Sequence, residues 1–413
     1  MRILFVAIAC SSATGRWIDQ ISDQGWDLHL YHDSLEAPSG FLRNVTIHSL
    51  VRPLSELPPD CRYTGFRWPM RRGSTRLTKL LLKTPTYEPA ARLAQLIAEL
   101  RPDVVHTMEM QRCGYVTAEA RRRFAPGEFP RWIYSSWGSD MYLYGRREGH
   151  MPRIQEVLGG CDYVVTDCER DIGLARQMGF RGEVLGTVPG GGGYHLDSIR
   201  RAMQPGPVSS RKTINIKGRH AVLQREHDHA LGGRALVALD AVRRCARMLA
   251  GYEIVVHYAS PAVQTEAMAL ARQTGLKISV LPNSPHEEIL RLMGRSRIAI
   301  GLGVSDGTPQ TMLEAMIAGA FPIQSDTVST REWIGSDNGL LVPPEDAEAV
   351  AAAIVRAIED DQLVNRAAEV NAAIADERLE RGKVREKVLG MYRRVMADGR
   401  NAGSLHSRRI ELL

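Results

Sequence analysis

Residues Gly301–Ser325 read GLGVSDGTPQTMLEAMIAGAFPIQS, and their parsing decides the fold. The pattern predicts a strand end at Arg297–Gly303, a polar turn at Val304–Gly307, a helix over Pro309–Ala318 and a strand over Ala320–Gln324. Thr308 fits the N-cap, Pro309 the first helical position and Gly319 the stop. A strand feeding a capped helix leaves backbone N–H groups at its carboxyl end, and the helix dipole adds positive charge there, so the turn suits a phosphate. Two carboxylates frame it: Asp306 before the helix and Glu314 within it. At helical spacing Glu314 shares a face with Gln310 and Thr311, but its next-turn neighbours are Ile317 and Ala318. The polar stripe therefore ends after about a turn and a half, where a solvent-facing stripe would run further. These residues alone leave two readings open: a site at the helix mouth, or a capped surface helix with one Glu.

Outward from this segment, the length of 413 residues exceeds one ordinary core and implies two domains. A composition 44% hydrophobic and 24% charged is globular. No apolar run approaches the ~20 residues of a membrane span. Arg2–Ala9 is too short and too quickly polar for a secretory signal, so the expectation is a cytoplasmic protein. The six cysteines form no C-x-x-C pair and no zinc spacing, which predicts reduced thiols and no metal site. A formal charge of +6 permits anionic ligands, acidic membrane surfaces or nucleic acid without choosing among them.

The amino-terminal half has βαβ grammar. Arg2–Ala9 is a buried-strand run, Gly15–Gln24 a helix and Asp27–Tyr31 a second strand. The first turn, AIACSSATGRW, lacks G-x-G-x-x-G, which removes the main support for a nicotinamide or flavin dinucleotide site. Val45–Leu50 reads as a strand and Pro53–Pro69 as irregular. Phe66–Lys83 interleaves six basic residues with apolar ones, either a solvated helix face or a segment that meets an anionic acceptor or an acidic bilayer. Tyr87–Leu100 reads as a helix, and Pro102–His106 as a strand that delivers His106 and Glu109 to its carboxyl end. Arg131–Ser135 delivers Trp137, Gly138 and Asp140 in the same way. A lone His in such a place is more often structural than catalytic.

The four glycines of VPGGGGY, Val188–Tyr194, mark the domain boundary and suit a hinge or a close backbone approach. Beyond them the alternation restarts. Strands are expected at Thr213–Lys217, Glu253–Tyr258 and Lys277–Leu281, and helices at Arg234–Ala250, Val263–Gln273 and His286–Met293. Helices are also expected at Asp346–Glu359, Asp361–Ala375 and Val384–Met396. Two α/β domains joined by such a linker make a cleft between their strand ends. Lys217, Arg219 and Arg234 lie on the first connection of the second domain, as diphosphate-binding cations or as plain surface charge.

SDGTPQTMLEAMIAGAFPI with the later STREWIGSDNGLLVPPED resembles the donor-binding motif of glycosyltransferase family 4 (group 1) enzymes of the GT-B fold. Asp306 stands in the first acidic position and Glu314 in the second, with seven residues between them; Ala315, Met316, Gly319, Pro322, Glu332, Asn338, Gly339 and Leu340 also match. The MRILFV strand, PDVVHTMEM and the WGSD turn extend the likeness, more loosely, to the first half. The resemblance implies two Rossmann-like domains facing across a cleft: an acceptor domain at 1–193, a nucleotide-sugar domain at 194–383, and a helix and tail at 384–413 that cross back. It implies transfer of a hexose-type sugar from a nucleotide diphosphate sugar to an acceptor hydroxyl with retention of configuration, with no cofactor and no nucleic-acid partner. The acceptor is a sugar, a lipid-linked molecule or a small molecule, and the alternative is a GT-B protein that binds nucleotide sugar with impaired catalysis.

By position, the resemblance gives Glu314 the ribose, Asp306 the donor sugar, and Gly307, Thr308, Gln310 and Thr311 the sugar and phosphates. Lys217 and Arg234 take the diphosphate, with Arg219 and Arg225 as rivals because the usual spacing of the basic pair is absent. Pro282 and Asn283 lie where the base would sit, and Gly15, His106, Glu109 and Asp140 are candidates for acceptor or sugar contact. The chain departs from the family at Met108 and Trp137, where a histidine is usual, and at Asp306, which is one methylene shorter than the usual Glu.

Overall fold

Ile3, Leu4 and Phe5 are fully buried. A strand apolar on both faces belongs in the middle of a covered parallel sheet. The computed structural model describes residues 1–32, 36–51, 58–66, 88–219, 233–282, 284–327 and 329–398. Its contacts divide the chain into one unit of Met1–Gly192 with the segment from Val384 on, and a second of Gly193–Lys383.

The first unit contains β1 (Arg2–Val6), β2 (Asp27–Tyr31), β3 (Thr46–Val51), β4 (Arg62–Phe66), β5 (Val104–Met108), β6 (Arg131–Ser135), β7 (Tyr163–Thr166) and β8 (Glu183–Thr187). They form one sheet in the order β4-β3-β2-β1-β5-β6-β7-β8, paired in parallel throughout. β4 corrects the irregular reading of Pro53–Pro69. RYTGF has little strand character alone, but Arg62–Thr64 pair with Thr46–His48 and extend the edge. Along β1, Ile3 and Phe5 enter one core and Leu4 and Val6 the other, so both faces are covered.

The first helix spans Ser12–Asp19 rather than Gly15–Gln24, because Ser11 caps it by accepting from the Ala13 N–H. The last helix, Arg381–Ala397, belongs to this first unit: Val384, Val388, Leu389, Tyr392 and Val395 enter its core. The glycine run is tightly packed. Gly191 has φ +75°, and a Cβ there would lie 2.7 Å from Ala13 Cα, so this position requires glycine.

The second unit contains β9 (Thr213–Lys217), β10 (Glu253–His257), β11 (Lys277–Val280), β12 (Ile298–Gly301), β13 (Phe321–Ser325) and β14 (Leu340–Val342). The order is β11-β10-β9-β12-β13-β14, again with parallel pairing. The helix expected at Arg234–Ala250 is Ala235–Arg244 followed by a 3-10 turn at Ala246–Leu249. Among the described residues no helix is long and apolar enough to cross a membrane. Phe66 ends β4, and the rest of the basic stretch to Lys83 lies outside the described residues.

Candidate functional site

β12 ends at Gly301, and the chain then turns toward the helix Gln310–Ile317. Hydroxyls at and beyond the end of β13 fasten this turn. Thr327 donates to the Gly303 carbonyl at 2.8 Å, Ser329 donates to the Gly307 carbonyl at 2.6 Å, and Ser325 also bonds Gly303. The helix start differs from expectation. Pro309 is the N-cap and supplies no side-chain cap, and Thr308 is buried with its hydroxyl 3.4 Å from that of Ser329. Its backbone ladder opens with Met312 N–H to Pro309, so the N–H groups before it have no place in the ladder. Gln310 and Thr311 are half-buried at this mouth, and the Gly307 N–H donates to Asp306 Oδ1 at 3.0 Å.

Glu314 is 3% exposed, which excludes the surface-helix reading. Its Oε1 lies 2.8 Å from Nε2 of His286, the first residue of the helix His286–Arg295. Lys217 ends β9. Ile214 and Ile216 enter one core, so Lys217 faces the other side of the sheet, that of Ala299 and the helices that carry His286 and Glu314. Burial holds the Lys217 ammonium below its usual range; Asp306 and Glu314 oppose that shift, and Arg219 adds to it. The fold thus gathers Lys217, Asp306 and Glu314 into one electrostatic neighbourhood.

Arg234 lies at the same strand ends. Its N–H donates to the Leu302 carbonyl at 2.9 Å, and its guanidinium pairs with Glu345. Pro282 is exposed after β11, whereas Asn283 and Arg225 lie outside the described residues.

Three residues of this region were not singled out from sequence. His286 is one. His257 is opposite Lys217 in the β9–β10 register, is fully buried, and has no hydrogen-bond partner at either ring nitrogen among the described residues. Burial first, then Lys217 and Arg219, push it down to about 3. Tyr258 has φ +53°, and its phenol is raised by burial and by Glu314. The signal applied to His106, a polar residue ending an apolar strand, applies equally to His257. Nothing in sequence spacing links His286 to Glu314.

In the first unit the candidate residues all make internal contacts. Gly15 is a packing residue inside the first helix: a Cβ there would come 2.5 Å from Ser39 Oγ. His106 is fully buried, with Nδ1 2.7 Å from the Tyr392 hydroxyl and Nε2 2.7 Å from Ser135 Oγ. Glu109 accepts from the N–H groups of Gln111, Arg112 and Cys113 and caps the turn after β5. Asp140 is buried and accepts from the Tyr134 hydroxyl and the Trp137 N–H. Burial raises both acids, and Glu109 raises Asp140 further. All four side chains or positions serve internal packing and hydrogen bonding.

Two family models match the chain: "Glycosyl transferase 4-like" over residues 2–166 and "Glycosyl transferases group 1" over residues 250–373. The second spans Glu314, His286 and His257. The chain belongs to the group 1 glycosyl transferases. No curated protein matches it. Among solved structures, this glycosyl transferase is similar to Anabaena HepE in complex with UDP-glucose, with TM-score 0.65, 14% identity, 95% of this chain covered and 100% of that one. It is similar to sucrose-phosphate synthase from Thermosynechococcus elongatus, with TM-score 0.66, 14% identity and coverages of 96% and 99%. A UDP-forming α,α-trehalose-phosphate synthase from Burkholderia xenovorans gives the same TM-score and identity, again with 96% and 99% covered. Such identities bear on the fold, and the fold is GT-B.

Proposed function

We propose that this glycosyl transferase moves a hexose-type sugar from a nucleotide diphosphate sugar to an acceptor hydroxyl with retention of configuration. The observation that carries the reading is the buried Glu314, held by His286 at the mouth of the Gln310–Ile317 helix, on the sheet face that carries Lys217. A buried carboxylate there accepts hydrogen bonds from two vicinal ribose hydroxyls. Asp306 contacts the sugar; Gly307, Thr308, Gln310 and Thr311 flank sugar and phosphates; Pro282 and Asn283 flank the base. The UDP-glucose bound to Anabaena HepE makes a UDP-sugar the first donor to test.

In the front-face mechanism the acceptor oxygen bonds to the anomeric carbon on the side from which the diphosphate departs. The bond from that carbon to the phosphate oxygen breaks, and this oxygen takes the acceptor proton. Lys217 and Arg234, with the helix mouth after Gly307, stabilise the charge that develops on the diphosphate. The acceptor binds mainly in the first unit, and no resident cofactor is part of the proposal. Cytoplasmic location with peripheral contact at a membrane face through Phe66–Lys83 belongs to the same proposal; pelleting with anionic vesicles at low salt tests it.

Incubation with UDP-, GDP- and ADP-sugars and a panel of hydroxyl acceptors tests transfer, and the anomeric proton coupling of the product tests retention. An inverted product contradicts the mechanism. A second reading, donor binding without turnover, is favoured by the Arg234–Glu345 pair, which engages one of the proposed cations. Tight binding with no transfer to any acceptor would select it.

A further inference from the structure

Away from the donor residues, the first unit contains a cavity of about 110 Å³ lined by Val6, Ala7 and Ile8 after β1, Tyr31 and His32 after β2, Pro89, and Arg112, Cys113 and Val116 beyond β5. It sits at the carboxyl ends of the strands, where the order β2-β1-β5 reverses direction, which is the favoured ligand position in an open parallel sheet. The Tyr31 hydroxyl donates to the Pro89 carbonyl at 3.0 Å and closes one wall. Most of the lining is apolar, so its two basic side chains define what it can hold.

Arg112 is exposed, and its guanidinium makes no ion pair or hydrogen bond among the described residues. The turn that carries it is specifically built. Glu109 adopts φ +81° and spends its carboxylate on the N–H groups of Gln111, Arg112 and Cys113. A non-glycine residue held there is strained, and such strain is kept where neighbouring structure overdetermines it.

His32 supplies the second group. It is 3% exposed, and its Nδ1 accepts the Ala9 N–H at 3.2 Å. That bond places the proton of the neutral ring on Nε2. Among the described residues Nε2 has no partner of normal hydrogen-bond geometry, and the backbone of Ala7 and Glu36 gives the ring weaker hydrogen-bond support. Burial and Arg112 push His32 down to about 4, so the ring stays neutral and keeps one N–H to donate. The opposing acid near His32 is Glu36, whose carboxylate accepts from the Cys10 thiol.

We propose that this cavity receives an anionic oxygen group, a carboxylate or a phosphate ester, and that Arg112 and the Nε2–H of His32 are its two donors. Resting on the transferase reading, this makes the acceptor a small molecule that carries such a group, with the hydroxyl to be glycosylated elsewhere on it. A volume of about 110 Å³ holds that group and an adjoining carbon or two, and the rest of the acceptor lies outside. Neutral sugars leave Arg112 without a counter-charge and are discriminated against.

The test is calorimetric titration of the full chain, without donor, with glucuronate, glucose 6-phosphate and glucose. The variants are Arg112→Ala, Arg112→Lys and His32→Gln, each first shown to melt as the wild type does. Binding of one or both anions is expected, with glucose weaker by roughly tenfold or more. Arg112→Ala should lose roughly tenfold or more, with Arg112→Lys in between, and His32→Gln should lose several-fold. Which anion binds tighter distinguishes an acidic sugar from a phosphorylated one. Failure of both anions to bind, equal binding of glucose, or an unchanged Arg112→Ala overturns the proposal. UDP-glucose, titrated in parallel, should bind Arg112→Ala as it binds the wild type. Arg112-dependent anion binding in a protein that binds no nucleotide sugar would sink the transferase reading and leave the anion pocket standing.

Discussion

Nε2 of His286 lies 2.8 Å from Oε1 of Glu314, joining the first residue of one helix of the second unit to the middle of its next helix across 28 residues of sequence. The buried carboxylate is thereby oriented before any ligand arrives. Preorganisation of this kind reduces the free energy spent on ordering when a ligand binds. In the proposed donor site His286 is a positioning residue. His286→Ala should weaken nucleotide-sugar binding by roughly three- to tenfold, with turnover at saturating donor largely retained. A double-mutant cycle with Glu314→Gln should show the two losses to be non-additive. Additive losses would mean that the 2.8 Å contact does not serve the donor.

In the proposed mechanism Lys217 acts on the transition state. Lys217→Ala should lower kcat by about 10²–10³-fold while donor affinity changes only a few-fold. Arg234→Ala should also act mainly on turnover, and more mildly, because Glu345 already engages that guanidinium. Burial lowers the Lys217 ammonium from its usual range, so its charge is lost at a lower pH than that of an exposed lysine. The pH profile of kcat should therefore fall early on the alkaline side, and Lys217→Arg should move that limb upward. An alkaline limb identical in Lys217→Arg would assign it to another group.

His106 fastens the last helix through Tyr392, which also accepts from Trp17 Nε1 at 2.9 Å. Burial pushes His106 down to about 3, against an ordinary value of 6.5. Its stability contribution is complete above pH 6.5 and is lost as pH falls from there toward 3, at about 1.4 kcal/mol per unit. His32 and His48, both held at about 4, and His257, at about 3, act with the same sign. Asp140, Glu109 and Asp171, raised mainly by burial, offset part of it. His106→Gln cannot gain charge, so its Tm should fall less steeply between pH 6.5 and 4.5 than that of the wild type. Parallel Tm curves would contradict the assignment.

Gly191→Ala tests the packing of the glycine run. At φ +75°, with a Cβ 2.7 Å from Ala13 Cα, the substitution should destabilise the first unit by about 1–3 kcal/mol. Gly127→Ala, whose φ is also positive but whose Cβ would meet nothing within 4 Å, is the control for backbone strain alone. Equal effects at both positions would show that the contact with Ala13 carries no cost of its own.

The layout of two parallel sheets was legible because buried parallel strands leave dense apolar runs, such as ILFV in β1 and IVV in β10. β4 was missed because its place depends on pairing with β3 rather than on its own residues. Within the site, the spacing of Asp306 and Glu314 was readable because both lie in one segment. His286, His257 and Tyr258 come from other strands and helices, and only the fold brings them near. The internal partners of His106, Glu109 and Asp140 were illegible for a related reason. Polar residues at strand ends look alike in sequence whether they face a ligand or, as here, the Tyr392 hydroxyl, the turn amides and Tyr134.

The central claim is that a nucleotide-sugar donor binds at Glu314. The most direct test is calorimetric titration of wild type and Glu314→Gln with UDP-, GDP- and ADP-sugars, beginning with UDP-glucose. One donor should bind the wild type, and Glu314→Gln should bind it at least roughly tenfold more weakly while melting at the wild-type temperature. Unchanged donor affinity in Glu314→Gln would contradict the placement of the donor site.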